Sequence, residues 1–383
     1  MIEQERAGIS KSYIDAFIPA GKDAKQCVNC GVCLQKCPVM KMDKEESKAE
    51  IKKLLNGENP NRVLNECTFC YSCNHYCPQG LKPYNLIMER MTSKNKAGGM
   101  GIPPSINYMI TGVSESGYFY DQYKAAPDED KVILDRWTNL PVKSKDTLFI
   151  GCVGRTIPKG IEYSKTLKNL PKFGPRDACC GEIPHRFGAY QVFSEVVERT
   201  KKHLESLDTE RLVCYCGSCA NYLGNVWPNY HGVKLPFEVI SLYEWLWEKY
   251  KTGELTIKRK VTRDVVINDS CYTSELGDNF YEAIRGLHKA AGMAVVELEN
   301  NCYEKLTCGF ACGIRNNYDQ SQVAIEAKKK ITQILNTKIK DVSCNCPGCY
   351  ANIIRTSKGY NLKIRYAINE ILWAFGDEIP VPE

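Results

Sequence analysis

Leu148-Phe149-Ile150-Gly151-Cys152, then Cys179-Cys180-Gly181, then Cys216-Gly217-Ser218-Cys219, is the series whose reading decides the fold. An apolar run delivers a lone cysteine, an adjacent pair follows, and a C-x2-C closes the set. A similar series begins at Asp269-Ser270-Cys271, passes through Thr307-Cys308-Gly309 and ends at Cys346-Pro347-Gly348-Cys349. Adjacent cysteines do not fit one tetrahedral ion without strain, whereas they can hold different irons of one cluster. Five thiolates (Cys152, Cys179, Cys180, Cys216, Cys219) arriving from strand ends therefore point to an iron–sulfur cluster of unusual shape. Structural zinc, or a cubane on four of the five, is the alternative.

Each series opens with a β-like run, Thr147 to Cys152 and Val265 to Cys271, and continues through helical stretches, Gln191 to Leu207 and Val323 to Leu335. Each closes on a strand entering C-x-C-x2-C, at Arg211 to Cys216 and Asp341 to Cys346. Alternating strands and helices imply a parallel sheet, with the ligands at the strand C-terminal ends where open α/β sheets place their sites. Two tandem copies with a linker near Tyr250 to Arg263 imply a pseudo-twofold pair with its clusters near the junction. Cys214 and Cys344 precede each C-x2-C by two residues and read as buried thiols on the same strand face as the first ligand.

Nearer the N-terminus, Cys27, Cys30, Cys33 and Cys37-Pro38 form the C-x2-C-x2-C-x3-C-P run of bacterial-type ferredoxins, and Cys67, Cys70, Cys73 and Cys77-Pro78 repeat it. In two-cluster ferredoxins the fourth cysteine of each run ligates the other cluster. One [4Fe-4S] cubane is thus expected on Cys27, Cys30, Cys33 and Cys77, and another on Cys67, Cys70, Cys73 and Cys37. A pair of zinc sites does not account for a proline-terminated run occurring twice. The spacer from Lys44 to Glu66 and the stretch after Pro83 show helical spacing, with Asn56-Gly57 as a stop, so this part is expected to be helical. An amphipathic lead (Tyr13, Ile14, Phe17, Ile18) precedes it.

At 383 residues with 21 cysteines, the chain is too large for a small disulfide scaffold. Its charged opening, Met1-Ile2-Glu3-Gln4-Glu5-Arg6, does not read as a signal peptide, and no run is long and apolar enough to span a membrane. These features favour a cytoplasmic, reducing and anaerobic setting. The net charge of +6 is scattered over the sequence, and bound clusters would lower it, so nucleic-acid binding is not implied. Gly98-Gly99-Met100-Gly101 has no preceding strand and does not make a dinucleotide site. Residues 98–146 read as a connector, whose aromatics (Tyr108, Tyr118, Phe119, Tyr120, Tyr123, Trp137) predict that it packs on a surface.

The cysteine series from Cys152 to about Asn352 resembles the cysteine-rich CCG domain of heterodisulfide reductases. Together with Glu66-Cys67-Thr68-Phe69-Cys70-Tyr71-Ser72-Cys73 and its short spacer, it resembles a fusion of the C-type and B-type chains of those enzymes, the D type. That resemblance implies an α+β chain: a helical two-cluster ferredoxin domain over 1–97, the connector over 98–146, and α/β CCG repeats over 147–257 and 258–383. It implies a noncubane [4Fe-4S] cluster on Cys152, Cys179, Cys180, Cys216 and Cys219, fed by the cubanes, for disulfide or thiol chemistry. The second repeat departs from the pattern, because Thr307 stands where the first cysteine of the pair is expected. Cys271, Cys308, Cys312, Cys346 and Cys349 are left to hold a second noncubane cluster or zinc, with Cys302 as another source of the missing thiolate. His185, Glu182 and Arg186, beside Cys179-Cys180-Gly181, are the candidates for proton transfer and for orienting an anionic substrate. The alternative is an electron-relay iron–sulfur subunit of a glycolate, lactate, glycerol-3-phosphate or quinone/fumarate-linked dehydrogenase complex. Either reading needs a redox partner subunit, a flavoprotein or a membrane cytochrome b type, the latter giving a peripheral place at the membrane.

Overall fold

The computed structural model describes residues 13, 15–18, 27–99, 101–110, 116–316 and 319–378; Ile14 and Met100 of the stretches above lie outside them. Eight strands make two parallel sheets. The first comprises β1 (Ser144–Phe149), β2 (Lys172–Phe173), β3 (Thr209–Cys214) and β4 (Glu238–Ser241), in the order β2-β1-β3-β4. The second comprises β5 (Arg263–Asn268), β6 (Met293–Val296), β7 (Asp341–Cys344) and β8 (Lys363–Tyr366), in the equivalent order β6-β5-β7-β8. Thr147, Leu148 and Phe149 are buried, as are Leu212, Val213 and Cys214, because helices cover both faces of the sheet. Such double cover is what a near-continuous apolar run in a strand predicts.

The central strands are in register at their C-terminal ends, Phe149 opposite Cys214 and Asn268 opposite Cys344. The sequence reading carried each first strand through its cysteine. Instead β1 stops at Phe149, and Gly151, at φ +63°, turns the chain so that Cys152 enters a short helix, Gly151–Gly154. The edge strands β2, β4, β6 and β8 are too short for their period to show in the sequence.

Helices Leu242–Lys251 and Asp278–Ala290 join the repeats. A capping box starts the first helix: the Glu244 N–H donates to Ser241 Oγ (3.2 Å), and the Ser241 N–H donates to Glu244 Oε2 (3.0 Å). Leu242, Leu246, Phe280, Ile284 and Leu287 are fully buried there. Each contributes roughly 1.5–3 kcal/mol of apolar burial. Gly286 lets the helices approach, since a Cβ there would meet the Trp247 ring at 2.6 Å.

The N-terminal part is helical, as its spacing predicts. Helices Lys44–Leu55, Asn61–Glu66, Ser72–Tyr76 and Pro83–Ala97 surround the two cysteine runs. Asp43 caps the first helix through the Glu46 N–H (2.8 Å), and Gly57 at φ +73° follows its end. This part docks on both repeats. Asn74 Nδ2 donates to the Tyr230 hydroxyl (2.8 Å), Lys82 pairs with Glu275 (2.6 Å), and His75 stacks on Tyr303 at 3.6 Å. The connector carries helices Tyr118–Ala125 and Asp128–Arg136; of its aromatics Trp137 is buried, Tyr118, Phe119, Tyr120 and Tyr123 are half-buried, and Tyr108 is exposed. Ile133, Leu134 and Trp137 are buried against Leu148, Ile161 and Tyr215, and the indole N–H donates to Glu162 (2.8 Å). Among the described residues no helix is long and apolar enough to cross a membrane.

Candidate metal centre

One cavity of about 120 Å³ is lined by cysteines of both repeats. Cys152, Cys179, Cys180, Cys216 and Cys219 enter it from the first repeat; Cys271, Cys308, Cys346 and Cys349 enter it from the second. The strand ends account for this. Cys216 and Cys346 sit at the N-termini of helices Gly217–Asn221 and Pro347–Thr356, and Cys219 and Cys349 follow one turn later on the same side.

Within the first set the side chains form a contiguous series, Cys152 to Cys179, Cys179 to Cys180, Cys180 to Cys219 and Cys219 to Cys216. The second set repeats it with one change. Cys271 Sγ meets Thr307 Oγ1 at 3.5 Å, and Cys308, Cys349 and Cys346 continue the series. The Gly309 N–H donates to Thr307 Oγ1 (3.1 Å), as the Gly181 N–H donates to Cys179 Sγ (3.5 Å). Both glycines have positive φ, +79° at Gly181 and +96° at Gly309. A side chain at either would run into the following helix, at Phe193 or at the Val323 carbonyl. Thr307 therefore occupies the place of a thiol.

Burial opposes ionisation here. It pushes the Cys271 thiol up to about 12, while hydrogen bonds with neighbouring thiols, together with burial, raise Cys152, Cys180 and Cys349 well above the ordinary range. Hydrogen bonds from their neighbours lower Cys179, from Cys152 and Cys180, and bring Cys346 down to about 6, from Cys349. Removing the remaining protons needs positive charge in the cavity, which iron supplies on binding. The chain is ready for the resulting anion. Arg155 is buried beside Cys152, Cys179 and Cys219, with Nη2 unpaired. Lys330 is fully buried beside Cys349, Cys271 and Cys308, with Nζ unpaired. All 21 cysteines are free thiols. Among the described residues no three His, Cys, Asp or Glu side chains close to single-ion spacing, a spacing that ligands on four separate irons do not require. The donor sets fit iron–sulfur clusters.

In the N-terminal part, Cys27, Cys30, Cys33 and Cys77 line one small cavity. Cys37 neighbours Cys70 and Cys67 instead, and Cys73 joins that group. Burial raises Cys33 to about 12 and Cys37 to about 11, again favouring neutral thiols until a cation arrives.

Of the candidate polar residues, Glu182 and Arg186 line the shared cavity as an ion pair (3.1 Å), the arginine buried and the acid partly so. Desolvation lifts the Glu182 carboxyl to about 7, against the opposing pull of Arg186. The Arg186 guanidinium also lies over Tyr272 (4.9 Å) and Phe310 (4.7 Å) of the second repeat. His185 is elsewhere. Its Nδ1 is 3.1 Å from the Tyr222 hydroxyl, its ring packs among Tyr13, Phe193 and His231, and burial holds its pKa well below the usual value. Cys312 does not line the cavity; its thiol donates to the Gly309 carbonyl (2.7 Å). Cys302 is half-buried in a separate pocket with Cys77 and His75. Cys214 and Cys344 are buried core thiols outside the cavity.

Sequence reasoning passes over Arg155, Lys305 and Lys330, and reads Phe119 only as a packing aromatic of the connector. Arg155, three residues after Cys152, and Lys305, two before Thr307, lie near motifs, and Lys330 does not. Phe119 lines both the shared cavity and an adjoining pocket of about 610 Å³, bordered also by Tyr120, Tyr123, Arg155, Arg176 and Arg199.

Comparison with known proteins agrees with this arrangement. Residues 23–81 match a 4Fe-4S dicluster domain, and residues 147–224 and 265–354 each match the cysteine-rich domain. The chain is 22% identical to the D chain of the dihydromethanophenazine:CoB–CoM heterodisulfide reductase of Methanosarcina acetivorans, over 91% of this chain and 93% of that one. It is 23% identical to the B chain of the fumarate reductase (CoM/CoB) of Methanothermobacter marburgensis, over 92% of this chain and 72% of that one. With the EtfAB:quinone oxidoreductase of Syntrophomonas wolfei it shares 20% identity, over 92% of this chain and 58% of that one. The order of a dicluster domain and two cysteine-rich domains, matched over nine-tenths of the chain, makes this protein a heterodisulfide-reductase-like iron–sulfur oxidoreductase of the D type.

Proposed function

We propose that the chain passes electrons from two ferredoxin-type cubanes to a noncubane cluster on Cys152, Cys179, Cys180, Cys216 and Cys219, where a disulfide is reduced to thiols. The observation that carries this reading is the shared cavity, which joins the complete five-thiol set to a partly buried acid and a buried guanidinium. Bound clusters supply one-electron storage and an iron to which a substrate sulfur can attach. The chain supplies the rest. Reduction of R–S–S–R′ to two thiols consumes two electrons and two protons. Glu182 is placed to hand on a proton, and Arg186 to hold a thiolate or carboxylate of the substrate. His185, within its aromatic surround, supports the fold and not the chemistry. Substrate enters from the 610 Å³ pocket, past Phe119. Electrons come from a flavoprotein or a membrane cytochrome in the same complex.

The test is turnover by anaerobically purified holoprotein with a reduced viologen as donor and a disulfide as acceptor. An added thiol should also perturb the magnetic spectrum of the oxidised first-set cluster. Absence of both turnover and thiol-induced change would overturn the reading. That outcome would favour an electron relay from a flavoprotein to a membrane carrier, a reading to which Thr307 lends support because the second set lacks one thiol.

A further inference from the structure

We propose that Lys305 and Lys330 hold negative charge at the second set of cysteines, raising the reduction potential of a cluster on Cys271, Cys308, Cys346 and Cys349 above that of the first set. The proposal rests on the reading above that clusters occupy these cavities.

Both lysines are fully buried. Lys305 lies between the two cysteine groups that must exchange electrons. Its ammonium donates to Ser274 Oγ, and that hydroxyl lies 2.8 Å from the Cys271 carbonyl and 3.4 Å from the Cys70 carbonyl. Lys330 comes from helix Gln320–Asn336, behind Cys349, Cys271 and Cys308, and its Nζ has no hydrogen-bond partner. An ammonium buried without compensation is costly. Asp269, the carboxylate near both lysines, is engaged at both oxygens by Arg285 (3.2 and 2.9 Å). The compensating charge must come from the cysteine side.

The first set differs in each respect. It has five thiols against Arg155, since the other buried cation of this repeat, Arg186, is paired with Glu182 (3.1 Å), and the helix behind it presents the neutral Thr200, whose hydroxyl bonds the Cys179 backbone (2.9 Å). The second set has four thiols, a neutral Thr307 and two buried lysine side chains. Cluster potentials rise with local positive charge and with hydrogen bonds to sulfur. Reduction at the second set adds one electron and one negative charge and makes or breaks no bond. The electron leaves the reduced centre that Cys70 helps to hold, which is oxidised by one. The asymmetry between the repeats thus places an electron store beside the five-thiol set, in the cavity both share.

The test is a potentiometric titration of the anaerobic holoprotein followed by magnetic resonance, with the second-set signal identified by its loss in Cys346→Ser. In the native protein this signal should reduce at a higher potential than that of the first set. Lys330→Met should lower the reduced-to-oxidised ratio at fixed potential at least tenfold, 59 mV for one electron, with iron content and the first-set midpoint unchanged. Lys330→Arg should restore most of the shift. Should Lys330→Met fail to load iron, Lys305→Met and the exchangeable-deuteron coupling of the native second-set signal provide the same reading. A midpoint indifferent to both lysines, with no exchangeable coupling, overturns the lysine role alone. Iron that accounts for the other centres only, with no second-set signal, overturns the cluster assignment beneath it.

Discussion

Glu182 and Phe310 each follow the glycine of their repeat's Cys-Gly turn and line one cavity from opposite repeats, with Arg186 touching both, at 3.1 Å from the carboxylate and 4.7 Å from the ring. The pair ties the repeats together where the clusters meet. Arg186→Met strands Glu182 in a buried site. Breaking a buried ion pair typically costs 3–5 kcal/mol, but Glu182 can take up a proton near neutrality, so a loss of about 2 kcal/mol is expected. The loss should grow as pH rises above 7, where the carboxyl must stay charged, and shrink below it. Denaturant unfolding at two pH values measures this, and Glu182→Gln added to Arg186→Met should recover most of the stability.

Thr307 and Cys179 predict a reciprocal exchange. Thr307→Cys restores a thiol beside Cys271 and Cys308, so the second-set magnetic signature should move toward that of the first set. Cys179→Thr should move the first set toward the second. Both sites already accept a glycine N–H, at Thr307 Oγ1 and at Cys179 Sγ, so neither swap requires backbone movement. Unchanged spectra with full iron loading would mean that this position ligates nothing.

The crossed cubane assignment makes a separate prediction. Cys37 neighbours Cys70 and Cys67, while Cys77 shares a cavity with Cys27, Cys30 and Cys33. Cys37→Ser should therefore damage the centre held by Cys67, Cys70 and Cys73 and spare the one beside its own run. Reduced-state spectra, in which two interacting signals should collapse to one, decide the matter.

What the sequence discloses follows from what the chemistry demands. Cluster ligation requires thiols at fixed intervals, so the cysteine sets, the parallel sheets that deliver them and the displaced Thr307 could all be read from spacing. The polar residues could not be read in full, since adjacency in sequence does not fix direction. Helix Glu182–Arg186 turns through about 100° per residue. Glu182 and Arg186, four apart, share the cavity face, whereas His185 is rotated away into Tyr222 and Phe193. Lys330, 16 residues before Cys346 in sequence, is brought behind the cysteines only by the packing of its helix, and a lysine in an amphipathic helix ordinarily reads as solvated. The two-residue strand Lys172–Phe173 has no pattern of its own and exists because β1 offers it an edge.

His231 should make the protein acid-sensitive. Burial lowers its pKa from 6.5 to about 3, and its Nδ1 is held by the Tyr190 hydroxyl (2.8 Å). The folded state thus binds fewer protons than the unfolded chain between these values. The associated stability is complete above 6.5 and is lost as pH falls toward 3. By about pH 5.5 the loss reaches roughly 1.4 kcal/mol. Buried His185 and His288, also lowered, add to the slope, so anaerobic thermal unfolding between pH 7.5 and 5.5 should show a steeper loss in the native protein, and His231→Phe, which keeps the packing, should remove about 1.4 kcal/mol of it.

Phe119 separates the outer pocket from the first cysteine set, and it is the one connector aromatic that lines both spaces. Its helix, Tyr118–Ala125, has no fully buried residue, so shortening this ring does not open a cavity in a packed core, and the stability change should stay below about 1 kcal/mol. Access should change much more. Phe119→Ala joins the 610 Å³ pocket to the cavity that holds Cys152 and Cys179. Small thiols, disulfides and oxidants would then reach the first-set cluster without passing an aromatic wall. Stopped-flow bleaching by a small oxidant should accelerate severalfold at the first set, while the cubane on Cys27, Cys30, Cys33 and Cys77, in its own cavity, bleaches at the native rate. A charged reagent should gain more than a neutral one of equal size when it is anionic, because Arg155, Arg176 and Arg199 outnumber the single carboxylate, Asp177, that borders the approach. Equal bleaching rates in the variant and native proteins would place the entrance to the first set elsewhere and remove the outer pocket from the substrate path.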